Sequence, residues 1–80
     1  MTGGTWKGAG GRIRKYSVTI AGHRTSISLE PTFWEALNRL ARRRGQPVAA
    51  LIAEIDRERG GNLSSALRLY VFENRHLLED

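Results

Sequence analysis

The chain has 80 residues, no cysteine and a formal charge of +5 at pH 7, with thirteen Lys and Arg, eleven of them Arg, against eight acids. That length allows one thin-cored domain without disulfide staples or thiolate metal sites, which leaves oligomerisation as the common route to stability. The basic balance favours a polyanionic partner, and with no apolar run near ~18 residues and no signal-type h-region the expectation is a cytoplasmic protein without a membrane span.

In chain order, residues 1–14 read as a flexible, basic, glycine-rich tail, with five glycines before residue 12 and no periodic apolar pattern. These glycines make no phosphate-binding loop, because no apolar strand precedes them and no helix start follows. A single domain is expected over 15–80. Tyr16–Ile20 reads as a strand with Tyr16, Val18 and Ile20 on one side, interrupted by Ala21, Gly22 and His23. A second alternating strand spans Arg24–Leu29, with Arg24, Ser26 and Ser28 on one face and Thr25, Ile27 and Leu29 on the other.

Glu30-Pro31 opens a helix carrying Phe33, Leu37, Leu40 and Ala41, which stops at Arg42-Arg43-Arg44-Gly45. The three arginines read as a solvated helix end favoured by the helix dipole, with a contribution to long-range attraction. Gln46-Pro47 begins a second helix with an apolar stripe of Val48, Leu51, Ile52 and Ile55, ended by Gly60-Gly61. Asn62 caps a third, where Leu63, Ala66, Leu67, Tyr70 and Val71 form one stripe, and Leu69 and Phe72 another. So small a chain leaves one of those stripes for a subunit interface. Phe33 and its neighbour Trp34 face different ways; Phe33 is assigned to the core, and Trp34 either to an oligomer contact or to a partly covered place on the surface.

A lone strand of six residues followed by helices exposes unpaired backbone groups, and antiparallel pairing with the same strand of a second copy satisfies them. The fold predicted is therefore mainly α, an intertwined dimer with a short intermolecular two-stranded ribbon, an extra N-terminal strand and a third C-terminal helix. Such a ribbon directs Arg24, Ser26 and Ser28 of both chains outward. The major groove of DNA admits a two-stranded ribbon, Arg pairs bidentately with guanine, and Ser hydroxyls donate or accept. Val48 and Ala49, at the second helix's N-terminus, offer free backbone N–H groups to a phosphate, and Lys15 adds a charge.

The stretches His23–Pro31, Phe33-Trp34, Leu37, Leu51–Asp56 and Asn62–Arg68 resemble a small family of bacterial ribbon-helix-helix domain proteins over roughly residues 15 to 76. The wider class consists of dimeric DNA-binding repressors and antitoxins. The resemblance implies a sequence-specific DNA-binding regulator, a homodimer acting on the nucleoid, with base contacts at Arg24, Ser26 and Ser28. It implies a dimer core of Ile27, Leu29, Phe33, Leu37, Leu51, Ile52 and Ile55. The chain departs from the wider class at Pro47, where a Ser, Thr or Asn cap is usual, and at Thr25, where an aliphatic residue is usual. The alternative is a protein-interaction module, an antitoxin or adaptor, whose core only dimerises and whose third helix or glycine-rich tail recruits another protein, such as a toxin. That helix permits either a dimer or a tetramer.

No cofactor, metal or catalysis is expected. His23 and His76 are isolated and lack a carboxylate pair, so they read as turn and surface residues. Ser64 and Ser65 sit beside a helix cap with no adjacent histidine base.

Overall fold

A computed structural model describes residues 12–58 and 61–79. The order is β1 (Arg14–Ile20), β2 (His23–Leu29), α1 (Pro31–Arg43), α2 (Val48–Glu58), α3 (Leu63–Glu73) and a closing 3₁₀ turn, Arg75–Leu78. Most of the glycine-rich tail, residues 1–11, lies outside the described residues, and so does Gly60 of the second helix's stop.

β1 and β2 form an antiparallel hairpin with Tyr16 opposite Ile27 and Ser17 opposite Ser26. Ala21 and Gly22, with φ of 51° and 83°, make the two-residue turn. Both angles being positive suits the right-handed twist of the strands. The ribbon seen here is thus intramolecular: β2, expected to pair with a second copy, finds a partner for one edge within its own chain. Of Ala21, Gly22 and His23, expected to interrupt the strands, the first two join them as a turn and His23 begins β2. A valine at position 22 would be forced into the left-handed region at a cost of ~1–2 kcal/mol. Gly22→Val is expected to lower the thermal midpoint by roughly 5–10 °C in a melting curve.

Period-two alternation gives the hairpin two different faces. Val18, Ile27 and Leu29 are buried, whereas Lys15, Ser17, Thr19, Arg24, Ser26 and Ser28 are exposed. The buried face meets Ala36, Leu37, Leu40 and Ala41 of α1, Leu51 and Ile52 of α2, and Leu67 and Val71 of α3. None of the buried residues among those described is polar or charged. A core therefore closes around one chain, because the in-chain partner strand and the third helix cover surface that two helices and a lone strand would leave open.

The helix boundaries follow local chemistry. Pro31 opens α1 with no side-chain cap from Glu30, whose carboxylate instead accepts from Arg68 Nε at 2.9 Å. Gly45, at φ 69°, follows the C-cap Arg44 and supplies the left-handed turn. Asn62 caps α3, its Oδ1 accepting from the Ser65 N–H at 3.0 Å.

The arginines at the end of α1 are more engaged than a solvated helix end requires. Arg43 Nε donates to the Leu77 carbonyl at 2.5 Å and Arg39 to that of Leu78 at 3.0 Å, so α1 holds the 3₁₀ turn. Arg44 donates to the Tyr70 hydroxyl at 3.1 Å and pairs with Glu54 at 3.4 Å, tying α1 to α2 and α3. Trp34 is partly covered, stacking on Tyr16 of the same chain with ring centroids 4.3 Å apart. Phe33 is half-buried and lines an open apolar groove with Leu69 and Phe72, which are 55% and 59% exposed.

Candidate nucleic-acid interface

The outward face of the hairpin gathers six polar side chains in two rows. Arg24, Ser26 and Ser28 stand on β2, opposite Thr19, Ser17 and Lys15 of β1. Arg24 Nε lies 3.4 Å from Ser17 Oγ, across the diagonal of the ladder. That contact uses the inner edge of the guanidinium and leaves its two terminal amino groups free for a bidentate acceptor.

Charge is distributed in the same sense. All eight carboxylates lie from Glu30 onward, where they match eight arginines, so the net charge of +5 rests entirely on residues 1–29. Arg12, Arg14, Lys15 and Arg24 face no acid within the ribbon itself. The helical half is electrically balanced and the ribbon is cationic.

The two-residue turn also fixes which backbone groups are spent. With Ile20 and His23 closing the turn, the amides of Thr25, Ile27 and Leu29 point to β1, and those of Arg24, Ser26 and Ser28 point to the open edge of β2. At the end of that edge, Ser64 Oγ donates to the Ser28 carbonyl at 2.6 Å. The Arg68–Glu30 pair beside it fastens α3 to the start of α1. The hydrogen bond from Arg68 holds the Glu30 carboxyl below its ordinary value of 4.5. Ionised Glu30 is therefore favoured in the fold; its contribution is present at neutral pH and lost as pH falls through the lowered value. Glu30→Gln is expected to flatten the acid limb of the stability curve below roughly pH 5, read from urea midpoints at several pH values.

Of the expected phosphate ligands, Lys15 lies on the outward face of β1. Val48 and Ala49 are half-buried at the start of α2, where Pro47 O accepts from the Ala50 and Leu51 N–H groups, so their own N–H groups precede the helical ladder. Among the expected core residues, Ile27, Leu29, Leu37, Leu51 and Ile52 are buried within the single chain. Phe33 and Ile55 are half-buried, and Ile55 lines a cleft of about 620 Å³ between α2 and α3 that also carries Glu54, Glu58 and Glu73. Sequence reasoning misses Ser17 and Thr19 as part of the face, although two alternating runs separated by three residues that include a glycine signal a hairpin that would place them there.

Among the described residues, no group of three or more His, Asp or Glu is arranged to hold a metal ion. No helix among them is long and apolar enough to cross a membrane.

Comparison with known proteins agrees with the geometry. A family model described as a ribbon-helix-helix domain matches residues 13–74. Among solved structures, an uncharacterized protein from Bordetella pertussis Tohama I is similar, with 29% identity and a TM-score of 0.68 over 84% of this chain. The chain spans 58% of the length of that protein. No curated protein matches it. With its paired strands, three helices and a family match over most of its length, this chain belongs to the ribbon-helix-helix family, a class of DNA-binding regulators and antitoxins whose domains are typically non-enzymatic.

Proposed function

We propose that this protein is a sequence-specific DNA-binding regulator of transcription, a homodimer that reads the major groove with Arg24, Ser26 and Ser28. The observation that carries the reading is the confinement of the whole net charge to residues 1–29, with the ribbon's outward face free of carboxylates. Arg24 supplies a fork for guanine O6 and N7, and the serine hydroxyls adapt to either donors or acceptors on the base edges. Lys15 and the leading N–H groups of α2, at Val48 and Ala49, contact phosphate and set the register. The site of action is the nucleoid in the bacterial cytoplasm.

The homodimer is supported by the open edge of β2. A second copy laid antiparallel along it, Ser26 against its own counterpart, sets Arg24 opposite Ser28 and satisfies the outward amides of both chains. The particle in solution is then expected to sediment at twice the 9.0 kDa of one chain.

The test is capture of fragmented genomic DNA by the full chain at moderate salt, alongside a variant with Arg24→Ala, Ser26→Ala and Ser28→Ala. A few sequences enriched by the native protein alone fit the reading; equal enrichment by both, or none by either, counts against it. A second reading, an interaction module recruiting a protein through α3, is favoured by the exposure of Leu69 and Phe72. It predicts a stable complex that forms without DNA and is lost with Phe72→Asp.

A further inference from the structure

Pairing of two β2 strands along their open edges produces a four-stranded sheet in the order β1, β2, β2, β1, with the hairpin partner of each chain outermost. At ~4.8 Å between neighbouring strands, the two outer strands lie roughly 14 Å apart. The major groove is about 12 Å wide. The central pair therefore fits between the groove walls and the β1 strands do not; they ride over the phosphate backbones that bound the groove.

We infer that the outward row of β1, Lys15, Ser17 and Thr19, is a phosphate-binding rail, one on each wall of the groove. The side chains suit that position. Lys15 brings a cation, and Ser17 and Thr19 bring hydroxyl donors, the groups that commonly reach phosphate oxygens. No carboxylate lies on the hairpin to compete for them or to repel the backbone. Ser17 has a second task, since its Oγ accepts from Arg24 Nε while its own proton stays free for a phosphate oxygen. One hydroxyl thus couples the base-reading arginine to the backbone contact, which fixes where Arg24 stands relative to the groove wall. Ser17 is in this respect a positioning residue.

The rail exists only if the paired β2 strands read the groove as proposed above, so the experiment separates the two. Sequences selected from a random duplex pool, and the dependence of affinity on salt, would be measured for four full-length proteins: native, Arg24→Ala, Lys15→Arg, and the double variant Lys15→Gln, Thr19→Ala, which leaves the Ser17–Arg24 contact in place. Melting curves check that each is folded. The double variant is expected to select the same sequence as the native protein. Its affinity falls for selected and random duplexes alike, by on the order of 50-fold at 0.1 M salt, and its salt slope is shallower by about 2, one unit for each lysine removed from the dimer. Lys15→Arg retains the native slope. Arg24→Ala changes or abolishes the selected sequence.

If the double variant selects a different sequence, β1 reads bases and the rail is wrong. If its affinity and slope match the native values, β1 stands clear of the DNA and the rail is wrong, while an altered selection by Arg24→Ala keeps the groove reading intact. If no protein selects a sequence and Arg24→Ala behaves as native, both the reading and the rail fall.

Discussion

Arg24→Ala is expected to cost ~1–3 kcal/mol of sequence-specific binding per copy and to relax the preference at one base pair in each half-site. In a dimer both copies lose the contact, so the combined loss approaches two to four orders of magnitude, with less effect on random duplexes. The physical reason is the fork. Nε is held by Ser17 at 3.4 Å, and the two terminal amino groups are left to match the paired acceptors of a guanine. A lysine in place of Arg24 would restore the charge without the planar fork, so Arg24→Lys is expected to recover non-specific affinity and not selectivity. Competition binding with selected and random duplexes reads both quantities. Equal losses on both would assign Arg24 to the phosphate backbone.

The largest effect on stability is expected at Leu37. Its side chain is fully enclosed in the middle of α1, where that helix packs on both α2 and α3. Leu37→Ala removes three carbon atoms' worth of apolar contact and leaves a cavity among groups too tightly packed to collapse completely, a loss of ~2–5 kcal/mol. Domains of ordinary stability have only ~5–15 kcal/mol in hand, and one of 80 residues sits toward the low end. At the slope of ~1 kcal/mol per molar expected of a small domain, the urea midpoint should fall by about 2 M or more. Leu69→Ala, at a site 55% exposed, serves as the contrast and should move the midpoint of an isolated chain little. A small shift at Leu37 would mean that the core depends on the partner copy rather than on α1.

How much of this is legible in the sequence depends on how local the signal is. Pro31, Gly45 and Asn62 mark helix ends through backbone chemistry that acts within a turn, and the helices begin and end beside them. The polar and apolar faces of β2 are equally plain, because alternation is a property of six consecutive residues. The in-chain partner of β2 is hidden. Alanine rarely occupies a left-handed turn position, so Ala21-Gly22 looks like an interruption where it is a hairpin turn, and the polar row of β1 is missed with it.

Relations between distant residues are the least legible. Phe33 and Trp34 are adjacent and both half-buried, and what covers Trp34 is the distant Tyr16, upon whose ring it stacks. Arg39 and Arg43 look like free surface cations until the 3₁₀ turn Arg75–Leu78 presents its carbonyls to them. The bond from Ser64 to the Ser28 carbonyl spans 36 residues and brings the first turn of α3 to the end of β2, a proximity no short-range pattern encodes.

Methylation interference at guanine N7 reports on the base contact itself, because N7 lies in the major groove and is one of the two acceptors that Arg24 would engage. On a duplex carrying the selected sequence, N7 methylation at one guanine in each half-site is expected to block binding of the native protein and to be without effect on Arg24→Ala. Interference that is absent from the major groove, or that is identical for the two proteins, would contradict it.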